Sequence, residues 1–240
     1  MEETKQAIRR VGMLAPMQVE LQPIVRQLDL TDDGDGTRYH GTAGALDVVA
    51  MLTNIGMAAG ADAARCILEL DVDWVMVVGV AGGVDHQGIT IGDVIVPEVV
   101  LDRATGNTYR PTPAGDIAPR GIVSCGDDLV TDPDTLGEME KNGVVAVEME
   151  SAAVAPECED AGVPWSVFRG ISDFADAGLV DDALFAMTGP DGSADPDAMK
   201  RYLAENPERA QVLVQLGRDT TLAVDNAAAA AIRACATLSA

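Results

Sequence analysis

VVAVEMESAAVAPECEDAGVPWSVFRGISDFAD, residues 144–176, reads as strand, helix, strand. The apolar run 144–150 ends on acids, residues 151–161 form a helix, and the run 164–173 is a further strand. Upstream, WVMVVGV (74–80) is continuously apolar, as expected of a strand buried on both faces of a sheet. Residues 11–15 make a first strand and about 17–28 a helix, in which Val19, Ile24, Val25 and Leu28 recur at helical spacing. Residues 46–52 form another strand, and TNIGMAAGADAARCILEL is a glycine-bearing loop opening into an alanine-rich helix. DVIVPEVVLD and 122–126 add strands, and a last long helix runs from about 219 to 238.

Three stretches read as irregular: the acidic TDDGDGTRYHG, a tight AGGVD turn ending the strand 74–80, and the loop ATGNTYRPTPAGD. Strands alternating with helices predict an α/β fold. The expected architecture is a single domain over 1–240, with a central mixed twisted sheet flanked by helices. Residues 177–206, rich in Asp, Gly and Pro, stand out as an excursion with one short helix near 196–203, a lid or insertion.

Composition excludes several classes. With 48% hydrophobic residues in 240, the chain can fill a core. No apolar run approaches the roughly 18–20 residues of a membrane span. The start, MEETKQAIRR, has no signal-peptide apolar core, so the cytoplasm is the expected compartment. A net charge of −23 repels nucleic acid and anionic membranes, and neither is expected as a partner. Cys66, Cys125, Cys158 and Cys235 lack metal-ligand spacing and read as buried free thiols, and His40 and His86 form no paired-histidine motif. No metal and no cofactor are expected. GVAGG (79–83) matches neither dinucleotide nor P-loop fingerprints and reads instead as a close approach of backbone to a ligand.

In open α/β sheets ligands sit beyond the carboxyl ends of strands. Glu20, the GVAGG turn, the VEMES segment and Asp173 all fall there. Such carboxylates can act as acid and base around an oxocarbenium-like transition state, or simply cap helices.

The order of VGMLAPMQVEL, NIGMAAGADAA, VVGVAGGVD with IGDVIVP, VSCGDDLV, VAVEMESAAVA and VFRGISDFAD resembles the nucleoside phosphorylase/nucleosidase superfamily. Within it the resemblance is strongest to the 5′-methylthioadenosine/S-adenosylhomocysteine nucleosidases. It implies a purine nucleoside as the small-molecule partner, with Asp173 as the general acid at purine N7, oriented by Ser172. Glu20 would activate water with help from Arg169, and Glu150 would bind the ribose hydroxyls, with Met149 on the sugar face. Met17 and Val80 would line the site, and Leu129 and Val130 would fall where the family holds the base.

Two departures bear on substrate. Val80 stands where the nucleosidases carry a small hydroxyl residue, and Leu129 replaces an aromatic. The purine and uridine phosphorylases place an arginine before the glycine turn. Here that stretch is apolar, and Glu20 would repel phosphate, so hydrolysis is the expected reaction. Phosphorolysis and non-catalytic nucleoside binding are the alternatives. The resemblance further implies a homodimer in which residues 105–113 reach the partner's site, covering an apolar edge at Val99, Val100 and Leu101.

Overall fold

In the computed structural model, which describes residues 7–180 and 182–238, a ten-residue strand at Trp74–Gly83 forms the centre of one mixed sheet. The first half of the chain runs β1 (Arg10–Ala15), α1 (Gln18–Leu28), β2 (Thr31–Asp32), β3 (Arg38–Ala43), β4 (Leu46–Leu52), α2 (Met57–Leu68) and the central β5 (Trp74–Gly83). Next come β6 (Val94–Ile95), β7 (Val99–Asp102), β8 (Thr108–Tyr109), β9 (Ile122–Cys125), α3 (Pro133–Lys141), β10 (Val144–Glu148) and α4 (Ser151–Ala161). The chain closes with β11 (Trp165–Phe174), α5 (Asp182–Ala186), α6 (Pro196–Glu205) and α7 (Arg209–Leu238). The polar start 1–6 lies outside the described residues.

Sheet order is β2-β3-β4-β1-β5-β10-β9-β7-β8, and β11 lies along β5 and pairs β6 as well. β1 and β11 both run parallel to β5, whereas β10 meets only its end, antiparallel, at Gly82 and Gly83. Alternation along β5 divides the core. Val75 and Val77 pack with α2 and α4 residues such as Ala64, Ile67 and Val154. Met76 and Val78 face the other way, into a cluster with Leu21 and Ile24 of α1 and a row of α7 alanines. Small side chains on that α7 face let the long helix lie close against the sheet.

The expected α/β architecture is the observed one, with local corrections. Residues 38–43 form β3 and pair fully with β4, although 31–41 have the composition of a turn-rich stretch. AGG is not a turn but the end of β5, held straight by ladders to β10 and β11. DVIVPEVVLD is two strands, interrupted around Pro97, which has no N–H to give a ladder. β7 is no open apolar edge, since it pairs β9 on one side and β8 on the other. α7 begins ten residues before the expected start, and α3 adds a helix. Residues 177–206 contain two helices, α5 and α6, rather than one. Cys66 is exposed, while the other three cysteines are buried and free. Among the described residues no helix is long and apolar enough to cross a membrane.

Candidate active site

The carboxyl ends of β1 and β10 deliver acids to one arginine on β11, and the end of β5 adds a backbone donor. Glu20 occupies the first turn of α1 and folds back so that Oε2 accepts the Met17 N–H at 2.7 Å. This is the reciprocal half of a capping box. Its Oε1 accepts the Val80 N–H at 2.7 Å. Glu20 is thus fully buried yet held by two main-chain donors.

Arg169, on β11 opposite Gly79, is the hub. Its Nη2 donates to Glu150 Oε2 at 2.9 Å and also to Glu148 Oε2, while Nη1 lies 3.9 Å from Glu20 Oε1 and 3.4 Å from the Val80 carbonyl. Gly79 makes this geometry possible. A Cβ there would sit 2.3 Å from Glu20 Oε1 and 2.5 Å from Arg169 Nη1, so only glycine leaves room. The expected close approach of backbone is therefore to the site's own charged groups.

Glu148 and Glu150 differ in how they are held. Glu148 accepts the Ser151 N–H and Oγ and the Glu150 N–H, each at 3.1 Å, at the start of α4. Helix-end donors and the dipole favour its anion. Burial pushes Glu148 up, but Arg169 and these donors bring it below the usual carboxylate range. Glu150 accepts the Gly56 N–H at 2.9 Å. Burial raises it well above its ordinary value, aided by the charges of Glu148 and Glu20 and opposed by Arg169. Glu20 is likewise pushed up by burial to about 7, against the pull of Arg169 and its two backbone donors. Burial disfavours the Arg169 charge, yet the surrounding carboxylates outweigh it and hold the guanidinium protonated.

Asp173 stands further along β11. The β11–β5 register slips between Ile171 and Asp173, a bulge that places Asp173 opposite Gly82. Ser172 Oγ donates to Asp173 Oδ1 at 2.6 Å. Burial raises Asp173, with a further push from the charge of Asp219, and the Ser172 hydrogen bond opposes both.

The structure thus joins Glu20, Glu150 and Arg169 directly, and places Asp173 and Ser172 at the end of the strand that carries Arg169. Met17, Val80 and Met149 are half-buried beside these acids. Leu129 and Val130 lie in the loop between β9 and α3, where Val130 packs with Leu136 and Val144. Glu148 is the residue whose role the sequence reading left unassigned. Its signal was available: it is two positions from Glu150 in a strand-like run and so on the same face. Neither histidine joins the cluster: His40 pairs with Asp33, and His86 stacks on Phe174 and faces Asp176 at 2.9 Å.

Fold and site define a class: an α/β domain that gathers acids around one buried arginine beyond the ends of its central strands. The family model described as Phosphorylase superfamily matches residues 10–120 and 114–214, and the chain belongs to that superfamily. It is 29% identical to a 5′-methylthioadenosine/S-adenosylhomocysteine nucleosidase of an Exiguobacterium species, over 70% of this chain and 86% of that protein. Among solved structures, the nucleosidase of the same description from Neisseria meningitidis, in complex with methylthio-immucillin-A, superposes with a TM-score of 0.72 at 20% identity, covering 96% of this chain and 100% of the other. Futalosine hydrolase of Helicobacter pylori gives 0.69 at 17% identity, covering 96% and 98%.

Proposed function

We propose that the chain hydrolyses the N-glycosidic bond of an adenosine-type nucleoside carrying a modified 5′ position. The observation that carries this reading is the pair of acids with opposite tasks. Glu20 is pushed up to about 7 and held by two backbone donors, and Asp173 is raised toward the protonated form beside Ser172. Burial raises both acids, and their partners differ: Glu20 accepts two backbone N–H groups, as suits a proton acceptor, whereas Asp173, among the described residues, accepts only a hydroxyl, as suits a proton donor.

In this mechanism Asp173 gives its proton to purine N7 as the C1′–N9 bond breaks. Glu20 takes a proton from the attacking water, whose oxygen bonds to C1′. The products are the free base and a 5′-modified ribose. Glu150 accepts hydrogen bonds from the ribose hydroxyls, Met149 packs on the sugar face, and Met17 and Val80 line the cleft. Leu129 and Val130 border the base. Arg169 fixes Glu150 and helps orient Glu20.

Water is the better acceptor than phosphate because the cation of the cluster is already committed. Arg169 is bound by Glu148 and Glu150 and approached by Glu20, so a phosphate dianion would meet three carboxylates. Incubation with adenosine, 5′-methylthioadenosine and S-adenosylhomocysteine, with and without phosphate, tests this. Free base should form equally in both conditions and no sugar phosphate should appear. Phosphate-dependent release would establish phosphorolysis, and tight binding without release would establish a binding module.

The family resemblance also supports a homodimer, with residues 105–113, of which 105–108 are exposed, reaching the partner's site. Light scattering at micromolar concentration should give twice the chain mass, and a monomer would refute the assembly.

A further inference from the structure

Residues 187–195 form a closed hairpin within the stretch that follows β11. Thr188 and Ala194 pair in an antiparallel bridge, the Gly189 N–H donates to the Ser193 carbonyl at 2.7 Å, and the Asp195 N–H donates to the Met187 carbonyl at 3.0 Å. Its tip is docked on two other loops at once. The Ile55 N–H donates to the Pro190 carbonyl at 2.7 Å, and the Gln18 N–H donates to the Asp191 carbonyl at 3.0 Å. Gly192, at φ +78°, lies flush against Met17, and a Cβ there would fall 2.5 Å from the Met17 side chain. The other end of the stretch is pinned as well, because Arg209 donates to the carbonyls of Gly178 at 2.9 Å and Leu179 at 2.8 Å.

Each anchor of the tip adjoins a donor that holds one acid. Gln18 follows Met17, whose N–H holds Glu20, and Ile55 precedes Gly56, whose N–H holds Glu150. On the reading above these two acids serve the water and the ribose hydroxyls, while Asp173 serves the base. The tip therefore covers the sugar end of the cleft. It offers no cation: residues 187–195 contain no Lys or Arg. The Asp191 carboxylate is turned inward, accepting the Ser193 N–H at 3.0 Å and Oγ at 2.6 Å. The carbonyls of Gly189, Pro190, Asp191 and Ser193 are all engaged by backbone N–H groups, so the tip is a tied-down cover without a cation.

We infer that the hairpin tip, residues 189–193, determines 5′-substituent specificity by closing the sugar end over Met17 and Ile55. It admits a compact uncharged group such as methylthio and rejects an extended zwitterionic chain such as homocysteinyl, whose carboxylate finds no cation on the tip. The inference rests on the proposed nucleosidase activity.

Replacing residues 189–193 by Asn-Gly, a two-residue hairpin turn, retracts the tip while keeping the Thr188–Ala194 pairing. The measurement is kcat/KM for 5′-methylthioadenosine and S-adenosylhomocysteine, with the thermal midpoint within about 3 °C of wild type as the check on folding. Wild type should prefer the methylthio substrate, and the shortened variant should narrow that preference about 10-fold or more by gaining on the homocysteinyl one. If the shortened chain does not fold, Pro190→Gly loosens the tip alone and should narrow the preference about threefold or more. An unchanged ratio, an equal loss on both substrates, or a wild-type preference for the homocysteinyl substrate overturns the inference and leaves the hydrolase reading standing. Absence of base release by wild type from any of these nucleosides overturns both.

Discussion

Val80 donates its main-chain N–H to Glu20 Oε1 at 2.7 Å, so the position that lacks a hydroxyl side chain still holds the acid through its backbone. Only a possible contact to water is lost. Val80→Ser should therefore change kcat by less than about 10-fold, the effect of roughly one hydrogen bond. A gain of several orders of magnitude would mean that the wild-type site is crippled at this position.

Asp173 accepts from Ser172, and among the described residues no basic side chain pairs with it, which suits the proton donor proposed for it. Asp173→Asn should lower kcat about 10²–10⁴-fold, because the amide cannot protonate N7. Circular dichroism and the thermal midpoint should match wild type. Retained turnover would remove Asp173 from the mechanism.

Glu20→Gln separates chemistry from stability. Turnover should be lost while a non-hydrolysable nucleoside analogue still binds. In the ligand-free protein, Glu20 binds its proton more tightly when folded, at about 7 against the ordinary 4.5. Its contribution is fully present below pH 4.5 and is lost as pH rises through 7, amounting to about 3 kcal/mol as an upper bound. Gln is neutral throughout. The thermal midpoint of the variant relative to wild type should thus climb between pH 5 and pH 8. A difference that does not move with pH would contradict a buried, shifted Glu20.

Glu148 acts through its neighbours, and a pH profile can reveal that. Activity of the wild type should fall as pH drops through about 7, where Glu20 takes up its proton. The Glu148 charge is one of the influences that raise Glu20, so Glu148→Gln should move this acid limb to lower pH. Loss of activity at every pH with an unmoved limb would reduce Glu148 to a structural anchor for Arg169 and α4.

Sequence pattern disclosed the parts of this protein whose chemistry is written in residue type. Glu20, Glu150 and Asp173 stand out because carboxylates follow or interrupt otherwise apolar runs, whereas Arg169 is marked only by the family resemblance. Glu148 was harder to assign, since its task depends on a guanidinium 21 residues away and on helix-end donors that no local pattern reveals. β3 was hidden because its alternation is carried by Tyr39, Gly41 and Ala43 among exposed polar residues, and only pairing with β4 makes it a strand. The glycines closing β5 looked like a turn because their extension is imposed by β10 and β11. The first turns of α7 bury no residue, and Gly217 separates their apolar residues, within 212–216, from the alanine-rich part that packs on the sheet.

Arg169 cannot shed its proton, so the chain can hide it only where carboxylates wait. β11 carries Arg169 on the face of Val167, toward α2 and α4, while Phe168 points into the cluster with the α7 alanines. Sliding β11 along β5 by one residue would exchange the two faces. The guanidinium would then press on the α7 alanines, and Phe168 would meet the acids of Glu20, Glu148 and Glu150. Such a misaligned chain pays twice, in an unpaired buried cation and in orphaned carboxylates. The charges assigned to the proposed reaction therefore also proofread strand register: the alignment in which the core can close is the one in which the charge cluster is assembled.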